Sequence, residues 1–191
     1  MTARNLHFFI LGLTYFLIPF LVFAKKNIGS ESLWNNVSEK NIPEVGTRYI
    51  TPRSYLTYRL NVNMLRSVLE SAPMEFTPVA QMTKTYLELP LPDGTIKTFD
   101  IVESPIMAPE LAEKFPDINT YAGYAVDDKN IVARFDLTPQ GFHAMIMIPG
   151  SSTVFIDPYS FGGGDIEHYI VYHRRDYSSS VAKQFECGVT E

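Results

Sequence analysis

The only cysteine of this 191-residue chain, Cys187, sits in the run Phe185-Glu186-Cys187-Gly188-Val189-Thr190. A lone thiol has no disulfide partner within its own chain. It is therefore inert, bonded to another molecule, or a metal ligand. Inert cysteines are usually buried in a strand or helix. Cys187 instead follows the polar run Tyr177-Ser178-Ser179-Ser180, past the last expected strand. Gly188, lacking a side chain, leaves space for a second surface to approach. A thiolate is a strong zinc ligand, and zinc favours the deprotonated form. A lipoprotein role is excluded by position, because that cysteine directly follows a signal sequence.

The other reactive residues point to scaffold. No His-Glu-x-x-His occurs, so the chain carries no zincin site of its own. His168 and His173 flank Tyr169-Ile170-Val171-Tyr172, and an offset of five on a strand puts them on opposite faces. His143, in Phe142-His143-Ala144, has no acid and nucleophile at matching spacing. No Gly-x-Ser-x-Gly elbow is present, so an esterase is not supported. Gly162-Gly163-Gly164 lacks the Lys-Ser/Thr of a phosphate loop and reads as a flexible connection. Asp93, Asp157 and Asp165 fall at expected turns, where aspartate caps its own backbone.

The N-terminus reads as an export signal. Arg4 supplies a short positive region, residues 6–23 are almost wholly apolar, and Val22-Phe23-Ala24 offers a cleavage site before Lys25. Eighteen such residues are long enough to anchor in a bilayer, but Pro19 interrupts the run and Lys25 and Lys26 follow it. Removing residues 1–24 leaves 167 of 191, a length that suits one domain with a substantial core. With Arg4 gone, 15 basic residues face 21 acidic ones. That balance, with no basic run, argues against a nucleic-acid partner. No membrane role is expected once the signal is removed.

Residues 25–52 read as a polar linker or arm, with a glycosylation pattern at Asn36-Val37-Ser38. A domain is expected over residues 53–176 and a tail over 177–191. Within the domain, Met64, Leu65, Val68 and Leu69 fall at helical spacing, Asn61 or Asn63 can cap, and Pro73 stops. Alternating runs at residues 85–89 and 96–102 flank Pro92-Asp93-Gly94-Thr95, predicting a β-hairpin. A short helix is expected from Pro109, then strands at 121–126, 131–137, 142–148, 153–156 and 168–173. The expected class is α+β: a β-rich antiparallel meander with one longer and one short helix, one or two helices covering a face, preceded by a signal peptide.

Cys187-Gly188-Val189-Thr190 resembles the cysteine switch of reprolysin-type (adamalysin) metalloproteases, whose pro-domains end in Pro-Lys-Met-Cys-Gly-Val-Thr. Gln184-Phe185-Glu186 replaces the first part of that motif. Residues 48–190 also resemble the pro-domain of secreted bacterial reprolysin-like zinc proteases. The segments that carry this are Leu89-Pro90-Leu91-Pro92-Asp93-Gly94, Met107-Ala108-Pro109-Glu110-Leu111-Ala112, Thr120-Tyr121-Ala122-Gly123-Tyr124, Gly141-Phe142-His143-Ala144-Met145 and Phe155-Ile156-Asp157-Pro158-Tyr159. In such families the catalytic domain follows the pro-domain. The resemblance implies an inhibitory, secreted pro-region whose Cys187 ligates a zinc ion held by a cognate metalloprotease domain, in cis or in trans.

Two other readings stand beside it. One is a non-catalytic exported β-rich module that binds a peptide or glycan through Tyr- and Phe-lined surfaces. The other is a hydrolase with an unfamiliar site. The export reading is directly testable: Edman sequencing of secreted material should begin near Lys25. Recovery of Met1 in a membrane fraction would favour the anchor.

Overall fold

The computed structural model describes residues 32–177, which belong to one compact unit. The expected signal peptide and Cys187 lie outside the described residues. Nine strands form a single antiparallel sheet: β1 (Trp34–Asn36), β2 (Leu56–Leu60), β3 (Thr85–Pro90), β4 (Ile96–Glu103), β5 (Asn119–Ala125), β6 (Val132–Thr138), β7 (Gly141–Met147), β8 (Val154–Pro158) and β9 (His168–His173). Their order is β1-β2-β9-β8-β7-β6-β5-β4-β3. β3 to β9 form the expected meander, and β2 then adds beside β9, Leu56 facing Val171.

The local causes are those the side chains dictate. In β3, Leu87 and Leu89 point inward while Tyr86 and Glu88 are exposed, the two-residue period of a strand with one dry face. Asp93 Oδ1 accepts from the Thr95 N–H at 2.9 Å and Gly94 takes a φ of +88°, so the β3–β4 turn closes as its sequence directs. Helix α1 (Val62–Glu70) begins where Asn61 Oδ1 accepts the Met64 N–H at 3.1 Å. Its Leu65 and Leu69 join the apolar cluster of the sheet. Two shorter helices, α2 (Pro78–Met82) and α3 (Pro109–Ala112), each open on a proline.

The sheet is the expected β-rich antiparallel meander, with one longer helix and shorter ones beside it. It curls until its edges come together, and the Trp34 indole N–H of β1 donates to the Glu88 carbonyl of β3 at 2.8 Å. The core is the sheet's own inner face. The polar arm expected over residues 25–52 is also part of the fold from residue 32 onward: Leu33, Trp34 and Ile42 are buried. Few apolar residues mark this segment, but each is large and each is used. From Thr47, paired with Phe161, to Arg53, whose N–H donates to Asp176 O at 2.8 Å, the arm is fastened to the chain after β8 and after β9. Glu39 accepts from Arg48 at 2.6 Å, Tyr55 at 2.8 Å and Tyr159 at 2.7 Å. The Arg48 guanidinium lies 4.2 Å from the Tyr159 ring centre. The Gly162-Gly163-Gly164 run is a tight crossing rather than a loose connection. A Cβ on Gly163 would collide with the backbone of Val45 and Gly46.

Trp34 is the centre of the interior. Its ring lies 5.6 Å from Tyr169, 5.8 Å from Phe142 and 6.3 Å from Tyr58. Phe135 extends this cluster to Tyr121, stacked at 5.5 Å. Trp34→Ala is expected to lower the unfolding free energy by about 3–5 kcal/mol. Trp34→Phe, which keeps much of the volume but loses the N–H, should cost about 1–2 kcal/mol. Urea denaturation followed by far-UV circular dichroism measures both. A Trp34→Ala protein as stable as the parent would show that the edges hold together without it.

Candidate functional site

Because the inner residues of β5 to β8 are committed to the core, the outer residues of the same strands are free to act. They form two rows. In one, Thr120 faces Asp136 and Asp136 faces His143; continuing the β7–β8 register by one residue puts Asp157 opposite His143. In the next, Arg134, Met145, Phe155 and Tyr172 face one another in turn. Ile106, on the segment after β4, joins these rows to enclose an open hollow of about 550 Å³.

The hollow's walls are hydrogen-bonded on both sides. Arg134 Nη1 donates to Ser104 Oγ at 2.8 Å, and the Ser104 hydroxyl donates to the Glu75 carboxylate. Thr120 Oγ1 donates to Ser104 O at 2.7 Å. On the opposite side the Tyr172 hydroxyl donates to Asp157 Oδ2 at 2.8 Å. Between them, His143 Nδ1 lies 3.2 Å from Asp136 Oδ1, and the imidazole stacks on Phe161 at 6.3 Å. The floor supplies apolar contact through Met145 and Phe155, with Arg134, His143, Asp136 and Asp157 around it. This mixture suits a protein or peptide surface. Among the described residues no Ser or Thr hydroxyl is bonded to His143, so the hollow shows no nucleophile–base pair there.

The electrostatics follow from these contacts. The hydrogen bond that the imidazole donates to the Asp136 carboxylate, opposed in part by burial, raises the His143 pKa above 6.5. Burial raises Asp157 above the ordinary aspartate value, against the lowering effect of the Tyr172 hydroxyl. Tyr172 is pushed strongly upward, by burial first and Asp157 second.

The sequence-derived candidates fare differently. Cys187, the expected metal ligand, lies outside the described residues. His168 and His173 do fall on opposite faces: His168 Nδ1 lies 2.9 Å from Asp165 Oδ2, and His173 Nδ1 lies 3.2 Å from Ser152 O. Among the described residues no group of three or more His, Cys, Asp or Glu is arranged to hold a metal, and no helix is long and apolar enough to cross a membrane. The partners of His143 were missed because Asp136 is 7 positions before it and Asp157 is 14 after. Only register brings them together. The signal that could have found them is alternation: each sits between apolar neighbours that must face inward. Comparison with family models, with curated proteins and with solved structures found no match to the chain.

The raised His143 pKa sets a pH dependence. The folded state holds this proton more tightly than the unfolded chain does. The resulting stability is full below 6.5 and is lost as pH rises through the higher folded value. Asp157 acts in the same direction at lower pH, because burial there also favours the protonated form. The urea midpoint of the parent should therefore fall between pH 6 and pH 8, and His143→Gln should flatten that fall. An unchanged slope in His143→Gln would show that another group governs it.

Proposed function

We propose that the chain is the signal peptide and inhibitory pro-domain of a secreted zinc metalloendopeptidase precursor, with the catalytic domain on a separate part of that precursor. The observation that carries this reading is convergence. Three of the five segments resembling bacterial reprolysin-type pro-domains, Thr120-Tyr121-Ala122-Gly123-Tyr124, Gly141-Phe142-His143-Ala144-Met145 and Phe155-Ile156-Asp157-Pro158-Tyr159, supply most of the hollow's lining. A fourth, beginning at Met107, adjoins Ile106 on its rim. Segments scattered along the sequence thus meet on one outer face. The chain leaves the described fold at Tyr177, whose ring is 6.3 Å from Tyr172 beside the same face. Cys187 follows ten positions later.

A catalytic zinc keeps one position open and activates the attacking water there. In this reading the Cys187 thiolate occupies that position and keeps water out. Covalent attachment makes the block effective. A tethered ligand acts at an effective concentration on the order of mM, so an intrinsic Kd of about 1 μM would favour the blocked state roughly a thousandfold, or about 4 kcal/mol. Cleavage of the connecting segment removes that advantage. The same hollow also supports the alternative of an exported peptide- or glycan-binding module, because its apolar floor and polar rim suit a bound side chain or sugar ring.

The two readings separate on the precursor. Reading the coding sequence beyond Glu191 should reveal His-Glu-x-x-His. With the processing site blocked, Cys187→Ala should give premature peptidase activity. Cys187→Ser should behave alike, since a neutral hydroxyl is a far poorer zinc ligand than a thiolate. Equal latency of the parent and Cys187→Ala precursors would remove the thiol from the mechanism.

A further inference from the structure

Phe76 is the one non-glycine among the described residues with a positive φ, +62°, and its side chain is 92% exposed. Both properties oppose stability. A bulky residue rarely adopts the left-handed region, and an exposed phenyl ring contributes no burial. Its surroundings nevertheless hold it firmly. The Glu75 N–H donates to Glu103 O at 2.8 Å, and the Glu75 carboxylate accepts from Ser104. Thr77 Oγ1 donates to Met74 O at 2.7 Å and accepts the Ala80 N–H at 3.3 Å, capping α2. Further along, Val79 and Met82 are exposed, as is Ile106 on the rim of the hollow. The fold thus spends rigidity on presenting an aromatic ring to the outside.

We propose that Phe76 is the anchor by which this fold docks onto the catalytic domain of its own precursor, a proposal that rests on the pro-domain reading. Rigid aromatic side chains entering a partner's pocket dominate the energetics of many interfaces. The occupant follows from the chain beyond the fold. Ten positions of extended chain from Tyr177 to Cys187 span at most about 35 Å. Tyr177 contacts Tyr172, and Tyr172 lies 5.8 Å from Phe155 in the wall of the hollow. From the other side, Arg134 in the hollow's lining reaches Glu75 through Ser104. Glu75, the neighbour of Phe76, and Tyr177, the last described residue, are thus connected to the walls of one hollow from two sides. A domain whose zinc accepts Cys187 must lie beside that face, and its docking surface should offer an apolar pocket for the ring. A second copy of this chain has no such tether.

The test adds the full chain, after signal removal, to the mature peptidase in trans and measures the inhibition constant. Phe76→Gly should raise that constant at least tenfold while leaving the urea midpoint unchanged or higher, because glycine adopts this φ without strain. Direct binding of the Cys187→Ala chain, which keeps the face but lacks the thiol, should show the same dependence on Phe76. Equal constants for parent and Phe76→Gly overturn the docking role and leave the thiol reading standing. A parent chain that neither binds nor inhibits the peptidase overturns both. Self-association in analytical ultracentrifugation that Phe76→Gly abolishes would assign the ring to a second copy and overturn the proposal.

Discussion

Closure of the sheet on itself is the constraint from which the other features follow. A nine-stranded antiparallel sheet has two edges, and each edge exposes backbone groups that recruit other chains. Here one edge strand is three residues long, and its tryptophan reaches the other edge with its indole N–H. The ring fills space that Tyr58, Phe142 and Tyr169 leave between them. The N–H satisfies a carbonyl of the facing edge. Tyr169 supports the same region, its hydroxyl donating to Ile166 O at 2.7 Å and accepting the Phe142 N–H at 3.0 Å. Its phenolic pKa is driven well above the usual range by burial.

Once the inner face is filled, chemistry is confined to the outside. Inner positions of β5 and β6 such as Ala125, Ala133 and Phe135 are essentially dry. Arg134 and Asp136, which flank Phe135, and Thr120, which precedes the buried Tyr121, build the hollow. The two-residue period of a strand thus sends core residues inward and the polar residues of the hollow outward along β6 and β7. Changes to Asp136, His143 or Arg134 can be tolerated by the core, whereas changes to Phe135 or Phe142 cannot.

Much of this fold was legible in the sequence, and the failures have physical causes. The hairpin at Asp93-Gly94, the cap at Asn61 and the strands from β5 to β9 each carry a local signal that the structure repeats. β2 carries no turn signal after it, because Leu60 is followed at once by the Asn61 cap of α1. β1 has no pattern, because three residues cannot show a period; its role is decided by where Trp34 packs. α2 is a single capped turn after a proline and reads as a loop. Curling of the sheet left no mark at all, since it depends on contacts between residues 34 and 88. The hollow was hidden for the same reason. Its members are separated along the chain and meet only through cross-strand register, while the segment bearing Cys187 was visible from its composition alone.

The place of β9 in the strand order has a kinetic consequence. Most neighbours in the meander are close in sequence, but β2, paired with β1 on one side, joins the rest of the sheet only through β9, Leu56 waiting for Val171 more than a hundred residues later. Such non-local closures are slow, because loop entropy is lost before the contacts form. During synthesis, β1 and β2 leave the ribosome early and stay without their sheet until nearly the whole unit has been made. Cys187 lies only 14 positions beyond His173, the last residue of β9. Cys187 therefore emerges close to the moment when the sheet can first close, and the order of the strands couples the two in time.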